Sequence, residues 1–193
     1  TCLGLWLDWM AQGARVSQNL FHDNLGQDVF VEVDHGPFVI DNNLLLSPTS
    51  VLSLSQGGAY IHNLFAGAIH PNPYDARLTP YHKAHSTELA GMHDNPSGDD
   101  RYYNNIFIDR VDLGLYSKAK LPLYMDGNVF LKGAQPAKAE AGPLVKPDFD
   151  PSLRLIEQPD GCDLELTLGD VSAPGGPRKL VTTDLLGKAA IPN

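Results

Sequence analysis

Five times along the chain a polar residue or glycine precedes an asparagine, and two large apolar residues follow it. The copies are Gln18-Asn19-Leu20-Phe21, Asn42-Asn43-Leu44-Leu45, His62-Asn63-Leu64-Phe65, Asn104-Asn105-Ile106-Phe107 and Gly127-Asn128-Val129-Phe130, and all steps between the asparagines but the one from Asn63 to Asn105 are of similar length. A period of about 20 residues or slightly more, built of short apolar runs between turn residues, predicts a parallel β-helix with three short strands per coil. One coil cannot bury its inward face alone, so equivalent residues must stack coil upon coil at about 4.8 Å. An asparagine at the same bend of every coil can hydrogen-bond the backbone of its neighbours, and the ladder is therefore expected to be scaffold. The long step from Asn63 to Asn105 is either two coils or one coil with a long insertion. A β-sandwich or propeller also uses short strands but accounts less well for this repeat, and no leucine-rich consensus is present.

The 18 glycines and 15 prolines among 193 residues agree with many short strands joined by turns. A net charge of −9 without a basic stripe excludes nucleic acid or an anionic membrane surface as partners. No run approaches the roughly 20 apolar residues that span a bilayer, so a soluble chain is expected, with the cytoplasm favoured over secretion. Cys2 and Cys162 are too few and too far apart for a disulfide framework or a zinc site. The chain starts at Thr1 with an apolar run almost at once and ends at Asn193 without a terminating signal, and it is expected to be a fragment of a longer polypeptide.

Residues 1–133 are read as coils, interrupted by a Pro-, His- and Gly-rich loop at 67–101. Residues 134–193 are read as an Ala/Pro/Lys linker and a short C-terminal β extension. In that tail Leu164-Glu165-Leu166-Thr167-Leu168 alternates like a half-exposed strand, turns are expected at Pro159-Asp160-Gly161 and Pro174-Gly175-Gly176-Pro177, and Leu185-Leu186-Gly187-Lys188 reads as a strand end or single turn.

Two acids share a phase. Asp8 precedes Asn19 by the same number of positions as Glu32 precedes Asn43, and both acids lie in apolar, strand-like surroundings. Stacked coils would hold their carboxyls roughly 5 Å apart, the spacing of glycosidases that retain configuration, in which one acid is the nucleophile and the other the acid/base. Like charges so close also favour keeping one carboxyl protonated. Against this, Gly13 and Gly36 stand one position closer together than Asp8 and Glu32 do, which warns of a one-residue slip.

Trp6 and Trp9 flank Asp8 and could stack on a sugar ring. His35 could donate to a sugar hydroxyl or a carboxylate, and Arg77, His82 and His85 are candidate sugar-facing loop residues. The loop histidines show no metal spacing, so no metal and no cofactor are expected. Asp94-Asn95-Pro96-Ser97-Gly98-Asp99-Asp100 is read as a polar turn, since it lacks the order of an EF-hand.

Trp6-Leu7-Asp8-Trp9-Met10-Ala11-Gln12-Gly13, Phe30-Val31-Glu32-Val33-Asp34-His35-Gly36-Pro37 and Gly57-Gly58-Ala59-Tyr60-Ile61-His62-Asn63-Leu64-Phe65-Ala66-Gly67 carry a resemblance to glycoside hydrolase family 120. It continues through Thr79-Pro80-Tyr81-His82 and Asp99-Asp100-Arg101-Tyr102-Tyr103-Asn104-Asn105-Ile106-Phe107, and takes in most of the stretch read as coils. That family comprises β-xylosidases built on a right-handed parallel β-helix. The resemblance implies that Asp8 is the nucleophile, Glu32 the acid/base, and a xylo-oligosaccharide the substrate. Members of the family are much longer, which implies association with the rest of a parent chain or a second copy. The alternative to an enzyme is a non-catalytic carbohydrate-binding or scaffold β-helix.

Overall fold

A computed structural model describes residues 2–169 and 180–190. The chain visits three parallel sheets in turn. The first coil consists of β1 (Leu5–Leu7), β2 (Ala14–Ser17) and β3 (Leu20–Phe21), and the second of β4 (Gln27–Val31), β5 (Phe38–Asp41) and β6 (Leu44–Leu45). The third is β7 (Thr49–Ser53), β8 (Gly58–Ile61) and β9 (Leu64–Phe65). The fourth opens with β10 (Ala68–Pro71), leaves the stack as an antiparallel hairpin of β11 (Asp75–His82) and β12 (Leu89–Asn95), and returns as β13 (Asp100–Tyr103) and β14 (Ile106–Ile108). The long step from Asn63 to Asn105 is therefore one coil carrying an inserted hairpin. Where irregular loop was expected at 67–101, the hairpin forms because paired strands satisfy the backbone of a long excursion.

After a 3-10 helix at Leu113–Lys118 come β15 (Leu123–Asp126), β16 (Val129–Leu131), β17 (Glu140–Ala141) and β18 (Leu144–Lys146). Strand order is β1-β4-β7-β10 in the first sheet, β2-β5-β8-β13-β15-β17 in the second and β3-β6-β9-β14-β16-β18 in the third. Parallel pairing thus runs to Lys146, past the expected end of the coils at residue 133, because Glu140–Ala141 and Leu144–Lys146 still find ladder partners in β15 and β16. Beyond it lies the antiparallel hairpin of β19 (Arg154–Gln158) and β20 (Gly161–Glu165), turning at Pro159-Asp160. The expected strand thus ends at Glu165, short of Leu168. Leu185-Leu186-Gly187-Lys188 falls in a 3-10 turn, Thr183–Ala189, while the expected turn at Pro174–Pro177 lies outside the described residues. No helix among the described residues is long and apolar enough to cross a membrane.

The core consists of columns running through successive coils. Val16, Ile40, Tyr60, Tyr102 and Met125 are register partners in the second sheet, and Phe21, Leu45, Phe65, Phe107 and Phe130 in the third. Rings at consecutive levels lie face to face, Tyr60 on Tyr102 at 4.4 Å and Phe107 on Phe130 at 5.0 Å between centroids. The ladder of asparagines has the expected structural role. Each Oδ1 from Asn43 to Asn128 accepts both the backbone N–H and the Nδ2–H of the asparagine one coil earlier, at 2.8–3.2 Å. The second Nδ2 hydrogen reaches a backbone carbonyl, Val16, Ile40, Tyr60 or Tyr102 in turn. Glu140 takes the asparagine's place at the far end, accepting from Asn128 Nδ2 at 2.7 Å.

The residue before each ladder asparagine explains the remainder of the sequence pattern. Gln18, Asn42, His62, Asn104 and Gly127 all have positive φ, between 54° and 70°. That bend disfavours β-branched residues and favours glycine and asparagine, so the position stays polar or glycine in every copy.

Candidate functional site

The first sheet sets the two acids. Its β1–β4 ladder pairs Leu5 with Val29, Trp6 with Phe30 and Leu7 with Val31, and Glu32 N–H donates to Leu7 O at 2.9 Å. Asp8 and Glu32 are the next residues in register, one level apart. The same offset continues through β2–β5 and β3–β6, so the slip suggested by Gly13 and Gly36 does not occur. Those glycines are not register equivalents: Gly13 N–H donates to Pro37 O at 2.7 Å, and Gly36 O accepts from Gln12 Nε2.

Alternation puts Leu7 and Val31 inward and Trp6, Asp8, Phe30 and Glu32 outward. The Trp6 ring stacks on Phe30 with centroids 5.6 Å apart while staying 52% exposed, so an apolar face is presented beside the acids. Trp9 is 48% exposed on the turn after Asp8. Asp8 is exposed, and its Oδ1 accepts from Trp9 N–H at 2.8 Å. The Glu32 side chain is only 14% exposed and its Oε1 accepts from Arg77 Nη1.

Arg77 stands on β11 of the inserted hairpin. Asp75, two residues earlier on the same face of the strand, accepts from its Nε at 3.0 Å and from its Nη2 at 2.9 Å. Pairing with Asp75 first, and Glu32 second, raises the Arg77 guanidinium above its ordinary pKa, and the same contact holds Asp75 below its own. Sequence reasoning picked out Arg77 as facing sugar. The structure sets it against Glu32 and adds Asp75, whose only signal was its i, i+2 spacing from an arginine.

His35 is 2% exposed and lies under the hairpin, away from solvent. Gln56 Nε2 donates to Nδ1 at 3.1 Å, which leaves Nε2 as the protonated nitrogen donating to Thr79 Oγ1 at 2.8 Å; the Thr79 hydroxyl then donates to Val33 O at 3.1 Å. Burial lowers the imidazole pKa and favours the neutral ring. With both nitrogens used by the protein, His35 is a strut between the Glu32 turn and β11, and the expected contact with a sugar hydroxyl is not made from this position.

The hairpin is pinned at two further points. Asn95 Nδ2 donates to Asp34 O at 2.8 Å, and Gln12 Nε2 donates to His82 O at 3.2 Å. His82 is thus half-buried, joined through its backbone to the turn after Asp8, whereas His85 is exposed in the connection between β11 and β12. In the Asp94–Asp100 turn, Asn95 Oδ1 accepts from Ser97 N–H and Asp100 Oδ1 from Gly58 N–H, so these oxygens are used within the protein. Among the described residues one His/Asp/Glu group has metal-binding spacing: His22, Asp23 and Glu157, none of which is a site residue.

A coiled parallel β stack bearing two acids on adjacent levels, with aromatic rings beside them, defines the class: an all-β protein of β-helix type with two outward carboxylates on one sheet. No protein-family model and no curated protein matches the chain. Among solved structures it is similar to XylC, solved as a complex with xylose, at 42% identity over 87% of this chain and with a TM-score of 0.77. The chain belongs to the family of that protein, which bears out the resemblance to glycoside hydrolase family 120 read from its sequence, and it spans 31% of the length of XylC.

Proposed function

We propose that this chain is the acid-bearing part of a retaining glycoside hydrolase that removes xylose from xylo-oligosaccharides. The register of Asp8 and Glu32 on adjacent levels of one parallel sheet carries the reading. Strand spacing in such a sheet, about 4.8 Å, matches the roughly 5 to 5.5 Å between the acids of retaining enzymes; inverting enzymes need roughly 6.5 to 9.5 Å to admit water. Kinship with a protein that was solved with xylose supports the sugar.

Asp8 would attack the anomeric carbon as a carboxylate while Glu32 gives its proton to the departing oxygen, so a xylosyl ester forms as the glycosidic bond breaks. Water then attacks the same carbon, Glu32 takes its proton, and xylose leaves with Asp8 restored. Exposed Trp6 offers a stacking face for the ring. A right-handed winding of the coils belongs to the same reading, since parallel strands joined by crossovers wind that way in nearly all sheets.

The test is hydrolysis of an aryl β-xyloside by the full-length protein and by its Asp8→Ala and Glu32→Ala variants. Each should lose about 10²-fold or more in kcat. Azide should restore Asp8→Ala with the inverted glycosyl azide and Glu32→Ala with the retained one. Near wild-type turnover by either variant refutes the assignment; sugar binding with no turnover by the wild type would leave a carbohydrate-binding scaffold.

A further inference from the structure

The inserted hairpin does more than decorate the stack. Nothing in the repeat requires an excursion between β10 and β13, yet the hairpin sits on the turn that follows Glu32 through Thr79, Asn95 and the His35 strut. Its first strand delivers one guanidinium to Glu32, and that guanidinium is held on its other edge by Asp75. An arginine side chain left free would lose rotamer entropy on taking a single geometry. The bidentate Asp75 contact settles that geometry before any substrate arrives.

We propose that Arg77 and Asp75 are positioning residues for Glu32, holding it ready for the second, water-dependent half of the reaction; this rests on the reading of Glu32 as acid/base. The ion pair is made by the carboxylate, the form that takes a proton from water as the xylosyl ester is hydrolysed. In the first half the proton resides on Glu32 and the pair is weaker. Loss of Arg77 therefore slows hydrolysis of the ester more than its formation. Asp75 acts through Arg77, since its carboxylate oxygens accept from the Arg77 side chain and from the Arg77 backbone N–H.

Dinitrophenyl β-xyloside separates the two halves, because its leaving group needs no proton and ester hydrolysis then limits kcat. Arg77→Gln should lower kcat for this substrate about 10- to 100-fold with KM unchanged or lower. Azide needs no base, so it should restore most of that loss and yield the retained glycosyl azide. Asp75→Asn should show a smaller loss of the same kind, and the double variant should be no slower than Arg77→Gln alone. Arg77→Lys, which keeps the charge without the fork, should fall between and guards against misfolding of the glutamine variant.

A wild-type kcat in Arg77→Gln, a loss confined to KM, or a kcat loss that azide does not restore overturns the inference while leaving the glycosidase reading standing. A Glu32→Ala variant that keeps wild-type turnover, or a wild type without turnover, overturns the glycosidase reading and the inference with it.

Discussion

Replacing Asn63 by alanine is the sharpest probe of the coil stack. Its side chain makes four hydrogen bonds in a site 2% exposed: Oδ1 accepts from Asn43 N–H at 3.0 Å and from Asn43 Nδ2 at 3.1 Å, while Nδ2 donates to Ile40 O at 2.8 Å and to Asn105 Oδ1 at 3.2 Å. Alanine leaves Asn43 N–H and Ile40 O without these partners, while Asn43 Nδ2 keeps Val16 O at 2.9 Å and Asp41 O at 3.0 Å. Asn105 Oδ1 still accepts from the backbone of residue 63. An orphaned buried donor or acceptor costs about 1–3 kcal/mol, and partial relaxation brings the two to about 3 kcal/mol in all. Asn19 is exposed at the start of the ladder, where water can replace what its side chain gives, and Asn19→Ala should cost less than about 1 kcal/mol. With a urea m-value of about 2 kcal/mol/M, the midpoint of unfolding followed by circular dichroism should fall by about 1.5 M for Asn63→Ala and by less than about 0.5 M for Asn19→Ala. Equal shifts for the two variants, or a loss under about 1 kcal/mol at Asn63, would show that the ladder does not hold the coils.

Asp34 and Asp100 are buried acids whose pKa values desolvation pushes up to about 7, with Gly36 and Gly58 N–H groups pulling the other way. As pH rises from about 4 to about 7 the unfolded chain releases these protons while the folded one keeps them, so stability should fall across that window, by at most about 4 kcal/mol per carboxyl, and level off above it. Urea midpoints that rise between pH 4 and 7 in step with these two groups would contradict this, and Asp100→Asn should flatten part of the slope. Trp6→Ala should raise KM for xylosides several-fold with kcat little changed; an unchanged KM would remove Trp6 from the sugar-binding face. Thr79→Val cuts the strut from His35 to β11, so hydrogen exchange of β11 and β12 amides should quicken while that of β4–β5 stays slow; uniform protection would mean that the hairpin is held by other contacts.

The coils were legible because a stacked architecture writes its period into the chain. Asn19, Asn43, Asn63, Asn105 and Asn128 must each fill the same bend, and the positive φ before each of them restricts the residue there, so both signals survive in one dimension. The equal phase of Asp8 and Glu32 is of the same kind: where residues repeat with the coil, sequence distance converts directly into position. The hairpin at 75–95 obeys no such repeat. Its docking depends on single contacts, Thr79 to His35, Asn95 to Asp34 and Arg77 to Glu32, between residues 44 to 61 positions apart. Sequence alone could mark Arg77 and His35 as worth watching. Only the folded chain turned one toward a carboxylate and shut the other beneath a strand, because side-chain partners across an insertion are chosen by where the insertion lands and not by the period of what it interrupts.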